Sequence, residues 1–132
     1  MLNERGFSLM EALTAATVAV IAVMGLAYSF GVGRALVNRY EVARAALAEA
    51  ENQLESLTQL KPNDPTLAVG YVAPPTPFRY EGVELGTENW RVTAYDEPNL
   101  PGTLNMKRVR VVVRWQQNSR ADSLMLERMW LP

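Results

Sequence analysis

Residues Ala12 to Gly33, ALTAATVAVIAVMGLAYSFGVG, form the longest uncharged run of the chain, and they contain no proline. As a helix these 22 residues extend about 33 Å, close to the roughly 30 Å hydrocarbon core of a bilayer. A cleaved signal peptide, a buried core helix and a membrane-spanning helix all fit such a run. The start of the chain is nearly neutral, which disfavours a signal peptide. The rest of the chain is too small to surround a core helix. We therefore predict a single membrane-spanning helix.

The composition of the whole chain limits what else the protein does. The 132 residues include 13 basic and 14 acidic side chains, for a net charge of −1. This balance gives no reason to expect nucleic acid as a partner. The sequence has no histidine and no cysteine, which excludes disulfides, Ser-His and Cys-His nucleophiles, and most zinc and haem sites. We therefore expect that the protein is not an enzyme and has no cofactor. We also expect no metal, since the side chains of Asn63 and Asp64 are far short of the six to eight oxygen ligands that calcium takes.

An amphipathic pattern follows the uncharged run and predicts that the helix continues to Leu60. Its apolar stripe recurs at spacings of four and three, and consists of Leu36, Tyr40, Ala43, Leu47, Ala50, Leu54 and Leu57. The pair Lys61-Pro62 ends the helix, because proline cannot continue it. We expect the stripe to pack against a sheet formed by the rest of the chain.

The last third of the chain alternates between apolar and polar residues, with the period of two that is typical of strands. The two clearest strands are residues 90–95 and 108–115, and Gln116 to Asp122 is predicted to form a turn before a returning strand, Ser123 to Leu131. A short first strand is expected at Phe78 to Leu85. The predicted fold is therefore α+β, with a long N-terminal helix packed on an antiparallel sheet of three or four strands. We expect the tryptophans to pack between the sheet and the helix.

Arginines at positions 108, 110, 114, 120 and 128 are unusually dense in this region. If Arg108, Arg110 and Arg114 share one strand face, they form a basic stripe. Such a stripe is either a solvated outer face or a surface complementary to an acidic neighbour, such as residues 49–55 of another subunit.

The N-terminal segment Arg5-Gly6-Phe7-Ser8-Leu9-Met10-Glu11-Ala12-Leu13 resembles the start of type IV prepilins and type II secretion pseudopilins. The resemblance implies that a prepilin peptidase cleaves between Gly6 and Phe7 and N-methylates the amine of Phe7. It implies further that Glu11 meets the amine of a neighbouring subunit during filament assembly. A free α-amine has a pKa of about 8, so it carries the positive charge that a carboxylate in lipid needs.

This resemblance divides the chain into a leader (1–6), a transmembrane or filament-core helix (7–33), its amphipathic continuation (34–60) and a periplasmic loop and sheet (61–132). The segment Ala48 to Glu55 and the Trp90–Val92 pattern are similar to I-class minor pseudopilins and PilV-type minor pilins. The resemblance implies a minor subunit of the bacterial inner membrane that helps to initiate a filament near its tip. Its implied partners are prepilin peptidase, other pilin subunits, the inner-membrane assembly platform and the lipid bilayer. The alternative is a membrane-tethered receptor or adhesin that acts outside a filament.

Overall fold

The computed structural model describes residues 8–95 and 106–130. One long helix, α1 (Leu9–Thr58), comes first, followed by a short 3-10 helix at Pro65–Leu67. Four strands complete the fold: β1 (Thr76–Tyr80), β2 (Val83–Tyr95), β3 (Met106–Gln117) and β4 (Arg120–Trp130). The chain forms two compact units, residues 1–38 and residues 39–132. The predicted α+β class, with a long N-terminal helix and a four-stranded antiparallel sheet, is confirmed.

The first unit contains the N-terminal part of α1. Every described residue from Ser8 to Asn38 is exposed. Of the described helices, α1 is the one that is long and apolar enough to cross a membrane. The apolar run therefore forms the predicted helix, and its side chains are not buried against the rest of the chain. Exposed apolar side chains of this kind are typical of a helix that contacts lipid or a neighbouring helix.

The second unit, residues 39–132, is a sheet in the order β1-β2-β3-β4, in which each strand pairs antiparallel with its neighbour. The expected first strand, Phe78 to Leu85, is wrong, because Glu81 and Gly82 adopt positive φ angles and turn the chain there. The predicted turn from Gln116 to Asp122 is also too long. Only Asn118 and Ser119 form it, both at positive φ, as a two-residue hairpin loop requires.

The core lies between α1 and the inner face of the sheet. The central strands contribute Val92, Val109, Val111 and Val113, each at most 1% exposed. Burial of one such side chain stabilises the fold by about 1.5–3 kcal/mol. Trp115 is buried beside Phe78, with 6.3 Å between the ring centroids. Trp90 and Trp130 are half-buried, and both pack against the core.

The helix meets this core along a stripe that differs in part from the predicted one. The predicted Ala50, Leu54 and Leu57 are buried, but Leu36 and Tyr40 are 49% and 69% exposed. Val42 and Ala46 take the place expected of Ala43 and Leu47, which are only half-buried. The physical reason is the period, since the predicted stripe repeats every 3.5 residues and drifts around a helix of 3.6 residues per turn, whereas Val42, Ala46, Ala50 and Leu54 are spaced by four and stay on one face.

Candidate functional site

The start of α1 is the first candidate site, and Ser8 and Glu11 define its geometry. Ser8 is the N-cap residue, because its Oγ accepts a hydrogen bond of 3.2 Å from the backbone N–H of Glu11. Its carbonyl accepts bonds from the N–H groups of Glu11 and Ala12, at 3.0 and 3.1 Å. Ser8 and Glu11 thus occupy the N-cap and N3 positions, where serine and glutamate are preferred residues. The predicted cleavage residues Gly6 and Phe7 lie outside the described residues.

The carboxylate of Glu11 lies among apolar side chains. Leu9, Met10 and Leu13 surround it in sequence and are all exposed on the helix surface. Within the helix the acid is well placed, since the positive end of the helix dipole favours a carboxylate in the first turn. In lipid such a carboxylate costs on the order of 3 kcal/mol at mid-bilayer, and less near the interface. A cation from outside the helix would offset this cost if it paired with the carboxylate.

Two hydroxyl groups in the apolar run are satisfied within the helix. Thr14 Oγ1 donates to the carbonyl of Glu11 at 3.0 Å, and Thr17 Oγ1 donates to that of Leu13 at 2.8 Å. Polar groups inside a bilayer need internal partners of this kind. Glu11 differs from these two threonines, because it places a charged side chain in the first turn of an apolar helix.

The arginines of the sheet form a second candidate site, on its outer face. Strand alternation places Arg108, Arg110 and Arg114 together on this face, which meets the condition for a basic stripe, and Arg91 of β2 lies directly opposite Arg110. Glu127 of β4 binds Arg110 and lies 3.8 Å from Arg108. Arg108 also lies over the ring of Tyr95, 4.7 Å from its centroid. The other two predicted arginines, at 120 and 128, belong to the inner face of β4 by the same alternation.

A buried acid on the inner face was not predicted. Glu88 of β2 is 5% exposed, and its Oε1 has no hydrogen-bond partner within the described part of the chain. Burial, with a smaller contribution from the negative charge of Glu49 on α1, raises the pKa of Glu88 to about 7. The sequence signal was available, since position 88 is in phase with the inward residues Trp90 and Val92.

The loop residue Asp64 has a structural role. Its Oδ1 accepts hydrogen bonds from the backbone N–H of Thr66 at 2.9 Å and from the Thr66 hydroxyl. These bonds lower the pKa of the Asp64 carboxyl and cap the 3-10 helix that begins at Pro65. Among the described residues, no group of three or more acidic side chains could hold a metal ion.

Comparison with known proteins adds no relative to this description. The chain matches no protein-family model, no curated protein and no solved structure.

Proposed function

We propose that the chain is a minor pilin-like subunit, anchored by α1 in the bacterial inner membrane with its sheet in the periplasm. In this proposal prepilin peptidase cleaves between Gly6 and Phe7 and methylates the new amine. The mature subunit then joins a type II secretion pseudopilus or a type IV pilus, near the tip, where it helps other pilin subunits to begin assembly. The observation that carries the proposal is the position of Glu11, one turn into a capped apolar helix.

The capped start of α1 supports this function by electrostatics. Cleavage before Phe7 would leave a protonated amine one residue ahead of the N-cap Ser8. The positive end of the helix dipole disfavours a cation at that place, and the surrounding lipid disfavours any unpaired charge. A carboxylate from an adjacent helix would reduce both unfavourable contributions, because it would pair with the amine. Glu11 is exposed in the first turn of α1 and would supply that carboxylate from the adjacent subunit.

Pairing between adjacent helices would also fix their axial offset. A charge pair in a low dielectric is strong only at contact distance, so one stagger brings the amine of one subunit to Glu11 of the next. The alanine-rich and glycine-rich surface of residues 12–33 allows the close approach that this contact needs.

The processing step is tested on the purified chain, after co-expression with a prepilin peptidase. Mass spectrometry should give a mature chain that begins at Phe7 and carries one added methyl group. The control is Gly6→Val, whose branched side chain occupies space that glycine leaves open for the protease, and this variant should keep its leader. A wild-type chain that begins at Met1, or at a site far downstream, would contradict the proposal.

The role of Glu11 is tested by three variants that separate charge from capping. Glu11→Gln removes the charge but keeps a residue that is also preferred at the N3 position. Glu11→Asp keeps the charge, and Glu11→Ala removes both. We expect Glu11→Gln and Glu11→Ala to lose incorporation into sheared filaments by at least about tenfold, which corresponds to about 1.4 kcal/mol, and Glu11→Asp to retain part of it.

Tryptophan fluorescence of each Glu11 variant reports whether the second unit is still folded, since Trp90, Trp115 and Trp130 all lie in the sheet. If Glu11→Gln is incorporated like the wild type, the carboxylate acts only as a helix-capping residue. If no variant and no wild-type chain enters filaments, the tethered receptor or adhesin is the better account.

A further inference from the structure

The outer face of the sheet carries more positive charge than the described part of the chain balances. We call its four arginines on β2 and β3 the basic face: Arg91, Arg108, Arg110 and Arg114. Glu127 forms ion pairs with Arg108 and Arg110, but Arg91 and Arg114 form none among the described residues. Arg91 lies directly opposite Arg110, and like charges in that position repel each other. An acidic surface placed on this face would relieve the repulsion.

The side of α1 that points away from the sheet has the opposite charge. We call Glu41, Glu51 and Glu55 the acidic face. All three are exposed, and within the described part of the chain they form no ion pair. At 100° per residue they lie within an arc of about 80°, centred on the side opposite the buried Ala46. The same chain therefore has an unpaired basic surface and an unpaired acidic surface.

The spacing of the charges is nearly the same on the two faces. Along β3, Arg110 and Arg108 lie about 14 Å and about 20 Å from Arg114, at about 3.4 Å per residue. Along α1, the second and third glutamates of the acidic face lie about 15 Å and about 21 Å from the first, at about 1.5 Å per residue. The offsets agree to about 1 Å. A helix laid along β3 can therefore place each glutamate beside an arginine.

In the single chain, residues 39–58 of α1 run antiparallel to β3. At the beginning of this segment Arg39 contacts Asp122 at 3.1 Å, and Asp122 is paired with the last part of β3. Beyond the end of the helix, the carbonyl of Pro62 accepts a 3.4 Å hydrogen bond from Nζ of Lys107, near the start of β3. The direction of the helix relative to the arginines of β3 is therefore fixed.

This direction decides how a second copy fits. Glu41 is the first glutamate of the helix and Arg114 is the last arginine of β3, so pairing them makes the helices of the two copies parallel. In the reverse alignment, with Glu55 beside Arg114, Glu51 lies about 6 Å along the helix, whereas Arg110 lies about 14 Å along the strand. Because α1 is one continuous helix, parallel helices are also what two copies anchored in one membrane require.

The middle of each face is apolar. On the basic face Val112 is paired with Met125 of β4, which is 55% exposed. On the acidic face Ala48 is exposed and lies within the same arc as the glutamates, and its small side chain allows a close approach. Each face also has one charge of the other sign, Arg44 on the helix and Glu127 on the sheet. The two faces remain opposite in net charge.

From these observations we propose that the basic face of one copy binds the acidic face of a second copy, with the helices of the two copies parallel. The contact joins unlike surfaces, so each copy keeps one free face to which a further subunit can be added. The proposal rests on the proposed function for the shared membrane, and it names the neighbour as a second copy of this chain. The pairs are Glu41 with Arg114, Glu51 with Arg91 and Arg110, and Glu55 with Arg108.

The absence of cysteine from the sequence allows a cross-linking test with the full chain in cell membranes. Two differently tagged copies are co-expressed, one with Val112→Cys and one with Ala48→Cys, and treated with a short bismaleimide. In the proposed contact the two positions are offset by about 4 Å along the helix, so we expect a product that carries both tags. Because the contact joins unlike faces, each variant expressed alone is the control and should give at least about tenfold less product.

The charge match is tested by exchange in the same pair of copies. Arg91→Glu in the Val112→Cys copy should lower the cross-linked fraction about tenfold, because it places a carboxylate beside Glu51 of the neighbour. Adding Glu51→Arg to the Ala48→Cys copy should restore the product. The control is Arg128→Glu, which reverses an exposed charge on the inner face of β4 and should have no effect. Tryptophan fluorescence confirms that each purified variant is folded.

Three results would overturn the proposal: no product with both tags, equal cross-linking of the single variants and the mixture, or a folded Arg91→Glu variant that Glu51→Arg does not rescue. The test needs neither cleavage before Phe7 nor the carboxylate of Glu11, so it can fail separately from the proposed function. Correct processing and Glu11-dependent incorporation without the cross-link would contradict only the contact between the two faces. The cross-link without either would contradict only the filament role.

Discussion

The substitution Glu88→Gln should stabilise the folded protein at alkaline pH and make little difference at acid pH. Glu88 is 5% exposed on the inner face of β2, and glutamine has the same shape without a titratable group. Burial, with a further contribution from Glu49, raises the pKa of Glu88 from the ordinary 4.5 to about 7 in the folded chain. The unfolded chain therefore releases the Glu88 proton at lower pH than the folded one.

The sign of the effect follows from linkage between protonation and folding. Between pH 4.5 and about 7 the folded state binds more protons than the unfolded state, so the free energy of unfolding falls as the pH rises. The loss is complete about one pH unit above the folded-state pKa of about 7. A pKa raised from 4.5 to about 7 corresponds to about 3.4 kcal/mol, at about 1.36 kcal/mol for each pH unit. This is a large share of the roughly 5–15 kcal/mol that stabilises an ordinary domain.

The measurement is urea unfolding of the full chain in detergent at pH 4 and pH 8, followed by tryptophan fluorescence. The free energy of unfolding of Glu88→Gln, minus that of the wild type, should be about 3 kcal/mol larger at pH 8 than at pH 4. Glu84→Gln, at an exposed position of the same strand, should show no comparable change with pH. If the difference between Glu88→Gln and the wild type does not change with pH, Glu88 is not held neutral by its surroundings and the reasoning fails.

Two further substitutions test the packing of the second unit by the same unfolding measurement. Ala46→Leu should destabilise it by about 1–3 kcal/mol, because Ala46 is fully buried against the sheet. The same change at the exposed Ala48 should leave the free energy of unfolding nearly unchanged, and equal effects at the two positions would show that the helix does not dock along this stripe. Gly86→Ala should destabilise by about 2 kcal/mol or more, because an added Cβ would lie 1.9 Å from the backbone oxygen of Arg114. A Gly86→Ala variant as stable as the wild type would mean that β2 and β3 do not approach so closely there.

The sequence correctly predicted those elements whose residue pattern is compatible with only one secondary structure. An uncharged run without proline, such as residues 12–33, satisfies its backbone in lipid only as a helix. The alternation of residues 108–115 places Val109, Val111 and Val113 on one face and Arg108, Arg110 and Arg114 on the other in any sheet.

Prediction from the sequence failed where several residues could equally well have occupied the same structural position. Alanines surround the helix at positions 43, 45, 46, 48 and 50, so hydrophobicity alone did not choose which of them meets the sheet. The turn at Glu81–Gly82 was missed because glutamate before glycine is a weaker hairpin signal than asparagine or aspartate. The burial of Glu88 was missed for a third reason, because a carboxylate at an inward position contradicts the pattern that predicts strands.

The difference between the predicted and the observed stripe shows which side of α1 faces the sheet. In a helix Glu49 lies about 60° to one side of Ala46, whereas Ala43 and Leu47 lie about 60° and 100° to the other side. Arg39 lies about 20° from Ala46 on the same side as Ala43. It contacts Asp122 of β4, so this side of the helix faces β4. The apolar arc of α1 is wider than the part that its own sheet covers, since Leu47 is only half-buried, and Leu124 of β4 is half-buried as well.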